Sequence, residues 1–251
     1  IPIVAALLGW LVLGESIGLN LAAGLALIAV GVAGVNGGLR RGWLLVRLSG
    51  LEFQERMIPL YTPDTKARIL AVCPSGMVPC LHHDNVVTWD SLAIAEYLHE
   101  KFPQAGIWPR DVAQRAHARS ICAEMHSGFA DLRRAMPMDI HASKPAATRT
   151  PEVQANLQRI EEIWTDCRAR FGAAGEFLFG AWSGADCMYA PVVMRLRSYG
   201  VQLNTAVQKY VAAVSAQKDL AVWIGAARSD EWVIDWEAAA RAGVAPLARR
   251  K

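Results

Sequence analysis

The stretch GLALIAVGVAGVNGGLRRGWLLVRLSGLEF, Gly24 to Phe53, decides how the rest of the chain is read. Its first half is apolar and uncharged, and its second half has the pattern of a helix in a globular domain. Only Asn36-Gly37-Gly38 separates them. An apolar run as short as Ala26–Ala33 (ALIAVGVA) fits a buried strand or a piece of helix equally well by periodicity. Two considerations pull in opposite directions. The run continues through Leu19–Val35, seventeen residues with Asn20 as the polar exception, and that length favours a helix. The neighbouring α/β segment needs a first strand, which favours sheet, with Asn36-Gly37-Gly38 as the strand-to-helix turn. We expect the helix.

Working outward toward the N-terminus, a second apolar run covers Ile1–Leu13, and Gly14–Gly18 links the two. Residues 1–38 carry one charged side chain, Glu15. A bilayer core asks for about 20 apolar residues in helical form, so the run over Leu19–Val35 is borderline. Gly24, Gly31 and Gly34 would allow a neighbouring helix to approach closely, and Arg40-Arg41 would hold the adjoining C-terminal segment on the cytoplasmic side. No basic region and no small-residue cleavage site mark a signal peptide. The chain begins at Ile1 rather than Met, which suggests a fragment.

Beyond Leu39 the composition is that of a soluble protein. Net charge over the whole chain is +3, from 26 basic and 23 acidic residues, which argues against a nucleic-acid partner. The five cysteines are odd in number, widely spaced and without a CxxC; a disulfide framework or zinc site is not expected, and a reducing compartment is. His82-His83 reads as a pair of solvated turn residues rather than metal ligands.

The pattern predicts a helix over Trp43–Leu48 closed by Ser49-Gly50, a strand over Phe53–Leu60 and a short helix over Asp64–Val72. Strands at Met77–Leu81 and Val86–Trp89 then form a hairpin about Asp84-Asn85, and a helix from Leu92 to Lys101 capped by Asp90-Ser91 comes next. From Asp111 onward only helices are expected. These are one long helix over Asp111–Met136, one opening at Pro151 with Val153, Leu157, Ile160, Ile163, Cys167 and Phe171 on one stripe, one over Ser183–Tyr199, and two more at about 204–216 and 217–227. Ser183-Gly184-Ala185-Asp186 has the spacing of a capping box, a fold element rather than a catalytic pair.

These motifs carry two resemblances. PIVAALLGWLVLGESIGLNLAAGLALIAVGVAGVN, Pro2–Asn36, resembles the last two helices of drug/metabolite transporters of the EamA type; two helices make no transport path. GMVPCL (Gly76–Leu81), TWDSLAIAEYL (Thr88–Leu98), IWPRD (Ile107–Asp111) and FGAWSGADCMYAPVV (Phe179–Val193) together resemble a bacterial glutathione S-transferase over Arg41 to about Trp236. AEMHSGF (Ala123–Phe129) with MPM (Met136–Met138) is similar to members near the zeta class, which includes maleylacetoacetate isomerase. The resemblance implies an α/β plus all-α architecture: an apolar helical hairpin over 1–38, a thioredoxin-like glutathione-binding domain over 39–104 with an atypical or missing first strand, and an all-helical domain over 111–240.

The resemblance also implies roles. Pro79 is the family's cis-proline, and Val78 before it presents its backbone to the cysteinyl part of glutathione. Asp90 and Ser91 take the γ-glutamyl end, and His82 or His83 stands within reach of the glycyl carboxylate. Met125, His126 and Phe129 lie along the second-substrate cleft, with ordinary packing an equal reading. Cys80 reads as a core side chain. Glutathione is the implied cosubstrate, a small electrophile the second substrate, a homodimer the usual assembly, and the cytoplasm the location, with membrane association through residues 1–36. The family's thiol-activating serine precedes a segment like LRRGWLLVRLSGLEF, yet no Ser, Tyr or Cys lies between Asn20 and Trp43. The catalytic residue is therefore unassigned, and a non-catalytic glutathione-binding module tethered to a membrane is the alternative.

Overall fold

A computed structural model of the chain describes residues 26–31, 37–60, 62–140, 143–144, 149–229, 232–234 and 247–249. Its first element corrects the expectation of a helix: Ala26–Gly31 is a strand, β1. The rest of the apolar hairpin, 1–25 and 32–36, lies outside the described residues. Helix α1 follows at Gly37–Ser49, then β2 at Phe53–Ile58, α2 at Thr65–Leu70, β3 at Cys80–His83 and β4 at Val86–Trp89. Helix α3, Ser91–Lys101, completes this unit.

The strand order β2-β1-β3-β4 puts β1 inside the sheet. It runs parallel to β2, from Ala26 opposite Phe53 to Gly31 opposite Ile58. On its other edge it runs antiparallel to β3, with Leu27 opposite His82 and Ala29 opposite Cys80. Backbone polar groups inside a sheet must be paired, so the demand for a partner on both β2 and β3 outweighs the length of the apolar run. Asp84, at φ 53°, turns the β3–β4 hairpin.

Alternation along β3 divides the core. Leu81 points to the large cluster containing Trp43, Leu44, Leu45 and Val46 of α1 and Ile94, Ala95 and Leu98 of α3. Cys80 points to the other face, with Ile58, Leu60, Ile69 and Cys73. Successive side chains of a strand face opposite ways, so one sheet serves both clusters. The large cluster continues without a break into the helical part.

That part comprises α4 at Val112–Ser127, α5 at Ala130–Ala135, α6 at Pro151–Phe171, α7 at Gly184–Ser198, α8 at Thr205–Ala216 and α9 at Lys218–Ser229. A short antiparallel pair, β5 (Trp232–Ile234) and β6 (Leu247–Arg249), comes last. The long helix expected over Asp111–Met136 is broken at Gly128-Phe129. Phe129 takes the left-handed conformation at φ 57°, and a Cβ at Gly128 would stand 2.6 Å from the Glu124 carbonyl oxygen. Arg133 folds back and donates to the carbonyls of Met125 and His126, at 3.2 and 3.3 Å, closing the end of α4. Among the described residues, no helix is long and apolar enough to cross a membrane.

Helix α7 is the buried axis of the helical part, with every residue from Gly184 to Leu196 buried. Its start is a complete capping box. The Asp186 carboxylate accepts from the Ser183 N–H at 2.9 Å, the Ser183 hydroxyl at 2.8 Å and the Leu178 N–H at 3.1 Å. Burial nevertheless raises its pKa to about 6, the hydrogen bonds opposing that rise. Gly184 donates its N–H to the Ile107 carbonyl at 2.7 Å, and a Cβ there would meet that oxygen at 2.7 Å. This glycine sets how closely α7 approaches the α/β unit.

The inner strand and the buried carboxylate are both open to test. Deleting residues 1–36 removes the inner strand, and the truncated chain is expected to lose cooperative thermal unfolding by circular dichroism; an unchanged melt would contradict the strand. Asp186 has a folded pKa above its unfolded value, so the folded protein takes up its proton first as pH falls. Its contribution to stability is therefore greatest below about pH 4 and declines as pH rises through about 6. Urea unfolding of wild type relative to Asp186→Asn should show that difference narrowing or reversing by about 2–3 kcal/mol between pH 4 and 7. A pH-independent difference would refute it.

Candidate functional site

The β3–β4 register builds the site. Cys80 stands opposite Trp89, so the residues just outside the hairpin, Val78-Pro79 and Asp90-Ser91, come to lie side by side. The Val78–Pro79 peptide bond is cis. Pro79 is buried and Val78 half-buried. The four residues singled out in the sequence therefore share one end of the sheet.

Asp90 is the N-cap of α3, with φ 74° and ψ 138°. Its carboxylate accepts from the Leu92 N–H at 2.8 Å. Ser91 is the first residue of the helix and is 2% exposed. The arrangement offers the positive end of a helix beside a hydroxyl, which suits a carboxylate. It also offers a partly exposed carboxylate, which suits an ammonium.

Asp90 has a further partner that sequence reasoning did not connect to it. Its Oδ2 lies 2.9 Å from Nε2 of His126, in the last turn of α4. The other ring nitrogen, Nδ1, lies 3.3 Å from Nη1 of Arg41 in α1. Arg41 is 4% exposed. Burial first, and the Arg133 guanidinium second, pull its pKa down to about 10, with Asp90 among the groups that oppose the fall. Arg195, also buried, donates from Nε to the Met136 carbonyl at 3.0 Å, and burial followed by Arg41 and Arg133 lowers it to about 9. The sequence shows these arginines only as ordinary members of LRRG, LRRA and MRLRS; nothing in their spacing announces that three helices bring them together.

Other expectations land elsewhere. His82 and His83 are not solvated turn residues: both belong to β3. His82 Nε2 lies 2.6 Å from the Val72 carbonyl. His83 is buried, with Nδ1 2.6 Å from the Tyr97 hydroxyl. Cys80 and Met125 are core residues, and Phe129 is partly buried against the large cluster. Helix α1 starts at Gly37, so its N-terminus comes directly after the Asn36 position.

Comparison with known proteins supports the glutathione S-transferase family. Residues 39–101 match the family model described as Glutathione S-transferase, N-terminal domain. A probable maleylacetoacetate isomerase of Caenorhabditis elegans is 29% identical over 103 residues, 41% of this chain and 48% of that protein. Glutathione S-transferase 1 of Dianthus caryophyllus is 38% identical over 74 residues, 29% of this chain and 34% of the relative. The chain thus spans about half or less of the length of these two relatives. Among solved structures, a glutathione transferase homolog from Burkholderia GL BGR1 with bound glutathione superposes with a TM-score of 0.61 at 24% identity, covering 81% of this chain and 97% of that one. The fold is the thioredoxin-like unit with a helical C-terminal part.

Proposed function

We propose that this protein is a glutathione S-transferase-like enzyme that binds glutathione as cosubstrate and brings its thiol to a small electrophile. The observation that carries the reading is the β3–β4 register, which brings Val78-Pro79 alongside Asp90-Ser91 at the start of α3. The Val78 backbone pairs with the cysteinyl residue as an added strand would. The Ser91 hydroxyl and the α3 N-terminus take the γ-glutamyl carboxylate, and Asp90 takes its ammonium. The glutathione-bound Burkholderia homolog and the N-terminal family match support the ligand.

The chemistry begins with loss of the thiol proton. The thiolate then attacks an electrophilic carbon and displaces a leaving group. In the zeta-type variant it adds to a cis double bond, rotation occurs about the new single bond, and the thiolate is expelled to leave the trans product. The isomerase relatives favour including that variant. Thiolate stabilisation falls to the N-terminus of α1, because no Ser, Tyr or Cys occurs between Asn20 and Trp43. A helix N-terminus alone lowers a thiol pKa less than a helix plus a directed donor. The same absence favours a second reading, glutathione binding with little turnover. The membrane-tethered form of that reading loses its support, since β1 occupies the middle of the proposed span.

Calorimetry tests the site: wild-type protein should bind glutathione, and Ser91→Ala should weaken it about tenfold, the worth of one hydrogen bond to a charged group. Unchanged affinity in the variant would overturn the assignment of Ser91, and no binding by folded wild-type protein would overturn the function. With 1-chloro-2,4-dinitrobenzene as electrophile, the rate should still be rising at pH 7, because the α1 N-terminus alone lowers the thiol only modestly below its free pKa of about 8.5. A plateau by neutral pH would reveal a thiol-activating group beyond the α1 N-terminus.

A further inference from the structure

Asp90 needs more than its own helix to hold it. Its backbone sits at φ 74°, a conformation that residues with a Cβ rarely adopt. Its side chain is 41% exposed. The Leu92 N–H holds Oδ1, and His126, in the last turn of α4, holds Oδ2. The tautomer of that histidine is set by its neighbours. A guanidinium only donates hydrogen bonds, so Nδ1 facing Arg41 must be an acceptor. The hydrogen then resides on Nε2 and is donated to Asp90. Arg41, His126 and Asp90 form a directional chain from α1, through the last turn of α4, to the cap of α3.

The chain is built at its inner end and open at its outer end. Arg41 is buried, and its Nε has no hydrogen-bond partner. Arg133 clamps the carbonyls of Met125 and His126 and so holds the turn that carries the imidazole. The His126 side chain is 34% exposed, leaving the Asp90 edge open to a ligand. AEMHSGF, a motif the sequence placed along the second-substrate cleft, therefore has its histidine aimed at the Asp90 carboxylate.

We propose that His126 is a positioning residue for recognition of the glutathione ammonium, acting through Asp90; this rests on the glutathione reading above. One donor on each oxygen fixes the plane of the carboxylate and leaves lone pairs on both oxygens for the ammonium. The donor's neutrality matters as much as its position. A lysine or arginine in that place would also hold Asp90, but would cancel its charge and repel the incoming cation. A neutral imidazole, oriented by Arg41, holds the carboxylate and leaves its charge in place.

The test compares glutathione with its des-amino analogue, glutaryl-cysteinylglycine, by calorimetry on wild type, His126→Ala and His126→Gln, with urea unfolding of each. His126→Ala is expected to weaken glutathione about tenfold and the analogue less than twofold. His126→Gln should recover most of the loss, since an amide can donate to Asp90 and accept from Arg41. A structural strut would instead weaken both ligands equally, and that result overturns the proposal. Unchanged or tighter glutathione binding in His126→Ala overturns it as well, while leaving the glutathione site standing. Folded wild-type protein that binds neither ligand overturns the glutathione reading and the proposal together. An independent reading comes from nitrogen NMR of the imidazole in the free protein: the directional chain requires hydrogen on Nε2, and hydrogen on Nδ1 refutes it directly.

Discussion

Everything in the α/β unit depends on β1 having a neighbour on each side. With Ala26–Gly31 in place, β2 and β3 are separate edges of one inner strand. Without it, two rows of backbone donors and acceptors face each other with nothing between them. A buried unpaired backbone group costs about 1–3 kcal/mol, and the rows number several groups each. The same strand sets the height of β3, and β3 sets β4. The end of β4 then delivers Asp90 and Ser91 beside Pro79. The geometry of the candidate site is thus a consequence of sheet register, fixed some distance from the residues that form it.

Helix α1 is the second organising element. It packs Leu44, Leu45 and Val46 into the large core. Its arginines reach in two directions: the buried Arg41 to His126, and Arg47 to the buried Asp219 of α9 with two hydrogen bonds at 3.0 and 2.8 Å. Trp43 donates from its indole to Glu55 at 3.1 Å, tying the helix to β2. A single helix therefore joins sheet and helical part through both apolar packing and directed polar contacts. The capping box of α7 and the close approach of Gly184 to Ile107 complete that joint.

Much of this was legible in the residues. Alternation and turn chemistry placed the hairpin about Asp84-Asn85, the stripe from Val153 to Phe171 marked α6, and Ser183-x-x-Asp186 marked the start of α7. The site residues Val78, Pro79, Asp90 and Ser91 were reached through motif resemblance, and register explains why they adjoin. What failed to show was whatever depended on partners distant in sequence. ALIAVGVA fits strand and helix equally well on local grounds; the requirement for a strand comes from β2 and β3. Gly128-Phe129 reads as a tolerable helix interior until the close Glu124 carbonyl and the return of Arg133 are seen. Arg41 and His126 are separated by 85 residues, and no periodicity connects them. His82 and His83 looked solvated because a strand as short as β3 gives little pattern to oppose the nearby turn.

Hydrogen exchange across Ala26–Gly31 tests the central claim most directly. An inner strand exchanges only when the whole domain unfolds, so these amides should match the protection of Cys80–His83, in water and without detergent. Exchange at the rate of an unstructured chain, or protection that appears only when detergent is added, would contradict the inner strand and the site geometry that rests on it.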